Sequence, residues 1–212
     1  MADYTIHLPS KPRVISEKGE SGIFEIEGLY PGYGHTLGNS LRRIILSSIP
    51  GAAITSVKIT GVNHEFSTID GIKEDVVTIL LNLKKIRMRF STDEPQTLYL
   101  KAKGDLPAGR QEKIVTAADL EVPGQVEILT PKETIATMTS KNASLEMEIK
   151  AERGLGFMPK EMIDKNRVDI GTIALDGIFT PIRRASYEVE NMRVGDRTDF
   201  NKLRIFIETD GT

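Results

Sequence analysis

The chain has 212 residues, 39% hydrophobic and 27% charged, and its 30 acidic against 28 basic side chains leave a net charge of −2. This composition excludes a fibre or a tail, and it builds no general attraction to nucleic acid or to an anionic membrane into the whole chain. With no cysteine there is no disulfide framework, thiolate metal site or cysteine nucleophile, and a reducing compartment fits best.

The first twenty residues lack the apolar core of a signal peptide, and no later run approaches the length of a membrane span, so a soluble, cytoplasmic protein is expected. The first candidate strand is 23–29. In HTLGNSLRRIILSSIPG the period becomes helical: steps of about 100° gather Leu37, Leu41, Ile44, Ile45 and Ile49 into one arc, and Pro50-Gly51 ends the helix. Four of these side chains, fully buried, would contribute roughly 8 kcal/mol before conformational entropy is subtracted. A strand at 54–60 follows. A second helix is expected from about 72 to 85, with Ile72, Val76, Ile79, Leu80 and Leu83 on one side, and it leads into a strand at 86–90. After a strand at 97–101, residues 105–139 are rich in Pro, Gly, Thr and Lys, with short apolar pieces such as 114–118 and a candidate strand at 126–129, and read as a small subdomain of loops joining short strands. Leu145, Met147 and Ile149 then alternate with Glu146, Glu148 and Lys150, which buries one face and wets the other. RGLGFMPKEMIDKNR reads as a loop carrying Gly154 and Gly156, and strands at 185–191 and through Leu203, Ile205 and Ile207 close the chain. No regular strand-helix-strand rhythm is present. An α+β arrangement dominated by antiparallel sheet is the expected class.

Local chemistry is sparse. His7, His35 and His64 lie too far apart to suggest a local metal site, and His64-Glu65 has Thr68 where a zinc protease would carry its second histidine. Ser40, in GNSLR, lacks the second glycine of a nucleophile elbow. Gly32, Gly34 and Gly38 space as G-x-G-x-x-x-G, one residue too long for a dinucleotide loop; they read as a tight turn and a Gly38 that lets another chain approach closely. Lys84, Lys85, Arg87 and Arg89 could meet phosphates, but alternation places Ile86, Met88 and Phe90 inward and the arginines outward, as on a solvated strand. The glycine loop and this strand together define an alternative reading, a nucleotide- or nucleic-acid-binding module. On the first helix, Leu46 lies outside the apolar arc beside Asn39 and Arg43, with Thr36 and Ser47 completing that side. Two accounts stand: a chance exposed leucine, or a contact patch with an apolar anchor, an arginine and a polar rim.

Several long segments in order, YGHTLGNSLRRIILSSIPG, VNHEFSTIDGIKEDVVTILLNLK, RGLGF and NMRVGDRTDFNKLRIFIETDGT, closely resemble the bacterial RNA polymerase alpha subunit over nearly the whole chain. The resemblance implies a non-catalytic assembly domain that dimerises and scaffolds the beta and beta-prime subunits, with no cofactor and no catalytic residue of its own. It implies a discontinuous dimerisation subdomain of sheet plus helices at 1–49 and 172–212, and an inserted, mainly β subdomain at 50–171. Leu37, Leu41, Ile44 and Ile45 would belong to the dimer interface. Arg43 and Leu46 match positions used for beta contact, His64, Glu65 and Asp75 lie in a further beta-facing segment, and Lys84 matches a position linked with beta-prime. Family members continue past the equivalent of Thr212 into a second interface helix, a linker and a DNA-binding domain. The chain is therefore expected to be a truncated fragment with weakened self-association and no specific DNA binding.

Overall fold

The computed structural model describes residues 8–105, 112–164 and 171–212, so His7 lies outside the described residues. In chain order the elements are β1 (Arg13–Lys18), β2 (Ser21–Leu29), α1 (Tyr33–Ser48), β3 (Pro50–Ile59), α2 (Val76–Leu83), β4 (Met88–Phe90), β5 (Gln96–Lys103) and β6 (Lys113–Thr116). There follow β7 (Leu120–Glu121), β8 (Val126–Ile128), β9 (Thr134–Met138), β10 (Ser144–Leu155), β11 (Phe157–Met158) and α3 (Lys160–Asp164). The chain closes with β12 (Thr172–Ala174), β13 (Gly177–Ile178), β14 (Ile182–Val194) and β15 (Arg197–Thr209). Every strand pairing among the described residues is antiparallel, and with α1 and α2 the chain has the α+β class read from its sequence.

The chain divides into two compact units, one of residues up to Ile49 with Thr180–Gly211, the other Pro50–Phe179. The return to the first unit thus falls after Phe179, later than the 171/172 boundary that the family resemblance implied. The reason is local: Thr172–Ala174 adds an edge strand beside β3, and the Phe179 amide donates to the Gly156 carbonyl at 2.9 Å.

In the first unit the sheet order is β1-β2-β15-β14, and α1 packs against β14 and β15. Ile26, Leu29, Leu203 and Ile205 are the buried residues of this core, and Phe24, Leu37, Leu41, Ile45, Tyr187, Val189 and Ile207 are half-buried around them. Lys202 and Arg204, at the intervening positions of β15, belong instead to a charged ladder. Arg204 meets Glu25 at 2.7 Å and Glu190 at 3.0 Å, and Lys202 meets Glu190 at 3.0 Å. Alternation along one strand thus separates an apolar from an ionic face.

The second unit holds a five-stranded sheet, β12-β3-β10-β5-β7, with the pairs β11-β13, β4-β8 and β6-β9. α2 buries Val76, Ile79, Leu80 and Leu83 in a core that includes Val57, Leu98, Leu100, Ile135, Leu145 and Ile149. The helix begins four residues later than the apolar pattern suggested. Asp75 caps it, accepting from the Thr78 amide at 3.0 Å, while the segment before it is tied to β9: the Lys73 amide donates to the Thr137 carbonyl and Glu74 Oε2 accepts from the Thr137 amide. RGLGF also differs from the expected loop, since β10 runs through Arg153 and Gly154 in register with Ala52 and Gly51. The Phe179 ring explains that strand's glycine, because a Cβ on Gly154 would lie 2.9 Å from it.

Candidate functional site

α1 is sixteen residues long, yet its only buried residues are Gly34 and Gly38. A Cβ on Gly34 would stand 2.6 Å from Val189 Cγ1, and one on Gly38 would stand 2.5 Å from Tyr187 Cδ2 and 2.9 Å from Leu203 Cδ1. The chain that approaches Gly38 is therefore its own sheet. Glycines four apart lie on one helix face, so they form the line on which α1 rests. Leu37, Leu41 and Ile45 flank that line and are half-buried. None of the five side chains in the expected apolar arc is fully buried. Ile44 departs furthest from the expected arc at 56% exposed, because it sits about 100° round the helix from Ile45 and beyond the sheet's reach.

Beyond this seat, α1 presents Leu46, 36% exposed, and Arg43, whose guanidinium has no hydrogen bond or ion pair among the described residues. Arg43 does contribute its carbonyl, which accepts from Ser47 Oγ at 2.8 Å. At the C-terminal end of the helix a cleft of about 300 Å³ is lined by Phe24, Ile45, Ile49, Ile182 and Ile207 together with the β1–β2 turn, including Glu17 and Glu20, and Thr209. The helix thus carries apolar surface that its own unit does not cover.

The segment from His64 to Asp75 is largely irregular and belongs to the other unit. His64 is exposed, Phe66 is 81% exposed, and Glu65 meets Lys160 Nζ at 3.6 Å. Asp75 is held below the ordinary carboxylate range, first by its hydrogen bond with the Thr78 side chain and then by the Thr78 amide. Lys84 meets Asp176 Oδ2 at 3.6 Å, and Asp176 Oδ1 accepts from the Lys160 amide at 3.0 Å. Glu65 and Lys84, far apart in sequence, are thereby joined through Lys160 and Asp176. Among the described residues no group of His, Cys, Asp or Glu is placed to hold a metal ion.

The features behind the nucleic-acid reading are committed elsewhere. Asn201 Oδ1 accepts from the Gly32 amide at 2.8 Å and the Gly34 amide at 3.3 Å, so donors that would cradle an anion already have a partner. Arg89 meets Glu127 at 3.5 Å, and Lys85 donates to Asn82 Oδ1 at 3.1 Å. No helix among the described residues is long and apolar enough to cross a membrane.

Residues 57–180 match the family described as RNA polymerase Rpb3/RpoA insert domain. The chain belongs to this family. It is 50% identical over 202 residues to the DNA-directed RNA polymerase subunit alpha of Roseiflexus castenholzii, an alignment covering 95% of this chain and 60% of that protein. The alpha subunits of Oceanobacillus iheyensis and Bacillus velezensis are 48% and 47% identical over 206 residues, each covering 95% of this chain and 63% of the relative. The chain thus spans about three-fifths of the length of these relatives. The family match falls on the second unit, whereas the similarity to the alpha subunits extends over both.

Within a member of this family, the residues that seat α1 are the ones the linear pattern concealed. Tyr187, Val189 and Asn201 come from strands some 150 positions further on, and only Asn201 left a trace. It occupies an inward position in register with Leu203, Ile205 and Ile207, and a polar side chain in an apolar row signals a hydrogen bond waiting in the interior.

Proposed function

We propose that the chain is the assembly domain of an RNA polymerase alpha subunit, a non-catalytic cytoplasmic scaffold that pairs with a second copy and receives the beta and beta-prime subunits. One observation carries the reading: α1 rests on the sheet through two glycines and leaves Leu37, Leu41, Ile44 and Ile45 partly or largely uncovered. Apolar surface of this kind on a rigid helix is stabilised when a second copy covers it. Arg43 and Leu46 lie to one side of that seat and serve as the arginine and apolar anchor of a beta contact, arginine being enriched among the residues that carry most of a partner's binding energy. In the other unit, His64, Glu65 and Asp75 belong to a further beta-facing segment, with Phe66 as its exposed apolar side chain. Lys84 serves beta-prime, held in place by Asp176. The discontinuous unit is the dimerisation part, and residues 50–179 form the insert.

Sedimentation of the chain across a concentration series, followed by co-purification with separately produced beta subunit, tests this reading. Self-association that Leu41→Glu abolishes, together with beta capture that Arg43→Ala weakens, is expected. A chain that stays monomeric at high concentration and captures no beta overturns it.

A further inference from the structure

α1 begins at Gly32, whose φ of 84° places it in the left-handed region, and no side chain of the helix's own first turn caps it. A helix start leaves amide donors without intrahelical partners. Here the acceptor comes from across the sheet. Asn201 on β15 is 6% exposed, its Oδ1 receives the Gly32 and Gly34 amides, and its Nδ2 donates to Asn191 Oδ1 on β14 at 3.2 Å. The carboxamide is thus oriented by one strand, carried by its neighbour and bonded to the helix. The rest of the seat is apolar contact, Val189 at Gly34 and Tyr187 and Leu203 at Gly38, which resists approach but is weakly directional.

We infer that Asn201 is the positioning residue of α1: by capping the helix from a neighbouring strand, it fixes where α1 starts on the sheet and hence the direction in which Arg43, Leu46 and the uncovered flank face a partner. A leucine keeps the same branched skeleton with bulkier methyl ends and accepts from neither amide. An aspartate accepts from both, its charge suits the positive end of the helix, and the exposed Asn191 can turn its amide so that Nδ2 donates to the second carboxylate oxygen. The effect on partners rests on the scaffold reading above; the cap itself does not.

The test compares Asn201→Leu and Asn201→Asp in the full chain by amide hydrogen exchange resolved at Gly32 and Gly34, with sedimentation and beta capture alongside. Asn201→Leu is expected to speed exchange at both amides on the order of tenfold, as loss of a cap implies, while α2 amides keep the parent's rates. Self-association and beta capture should fall with it, and Asn201→Asp should restore all three. Asn191→Ala, which frees the carboxamide to turn without touching the helix, should raise the same two rates by a smaller factor, and it decides the matter if Asn201→Leu does not fold. Parent-level exchange in both Asn201→Leu and Asn191→Ala overturns the cap, as does an Asn201→Asp chain as impaired as Asn201→Leu. A parent chain that neither self-associates nor captures beta overturns the scaffold reading, and the two exchange rates still decide the cap.

Discussion

The two long helices are built in opposite ways. α2, with eight residues, buries four large side chains; α1, with sixteen, buries only two glycines. Both carry an amphipathic stripe in the sequence, so the stripe alone does not say what covers it. For α2 the cover is the chain's own sheet core. For α1 the sheet covers the glycine line and reaches only part of each flanking side chain, which leaves apolar area beyond the needs of the unit. A large side chain buried in its own unit reports on folding, whereas a half-covered one beside a buried glycine leaves apolar area that, on the proposed reading, a second copy covers.

The largest expected effect breaks the comparison if it fails. Ile79→Ala removes a fully buried side chain and should cost about 2–5 kcal/mol, whereas Leu41→Ala, half-buried, should cost the isolated chain clearly less. Denaturant midpoints at matched slope decide it, and equal losses would mean that α1 is as internal as α2. Next is Gly38→Ala. An added methyl improves helix propensity by about 1 kcal/mol, but a Cβ 2.5 Å from Tyr187 Cδ2 forces the ring or the helix to move, at about 1–3 kcal/mol. The melting temperature should fall, and a rise would show that α1 does not rest where these glycines place it. Arg43→Ala sharpens the contrast from the other side. It should change folding stability by no more than about 0.5 kcal/mol while weakening beta capture by about 2 kcal/mol. Arg42, nearer the seat, should matter less to capture.

Most of the architecture was legible because alternation marks strands with one wet face. β2, β5, β10, β14 and β15 all carry it. What escaped had physical causes. β9 buries Ile135, Ala136, Thr137 and Met138 in succession, so it has no period to read. β1 is an exposed edge strand without a clean apolar face, and its register, Lys18 opposite Ser21, leaves Gly19-Glu20 as a two-residue hairpin loop that only the positive φ of Gly19 gives away. At the candidate site, the position of Arg43 and Leu46 outside the buried face of α1 was legible from the helical wheel, since it needs only local geometry. The exposure of Ile44 was not, because the width of the covered arc depends on how closely the glycines let the sheet approach. The Glu65-Lys160-Asp176-Lys84 connection likewise needs the fold to bring residues from four segments together.

The smallest expected effect separates the two helix starts by pH. Asp75, which caps α2, is a titrating acceptor, whereas Asn201, which caps α1, is not. The Asp75 carboxyl lies below its ordinary value in the folded chain because Thr78 hydrogen-bonds the charged form. A carboxylate depressed on folding adds stability that is fully present above its unfolded pKa and is lost as pH falls through the folded one. Asp75→Asn keeps an acceptor at the cap, since asparagine serves nearly as well there, but removes the proton equilibrium. Glu190 and Asp199 are also held low, by Lys202 and by Arg197 respectively, so the acid sensitivity of the whole chain cannot be assigned to one group. The difference between parent and Asp75→Asn isolates it. That difference in melting temperature should be small and constant at neutral pH, and should change in the variant's favour as pH falls from the ordinary carboxylate range through the lower folded value. A difference that stays flat over that window would mean that Asp75 is not depressed in the folded chain, and the contrast between a titrating and a non-titrating cap would fail.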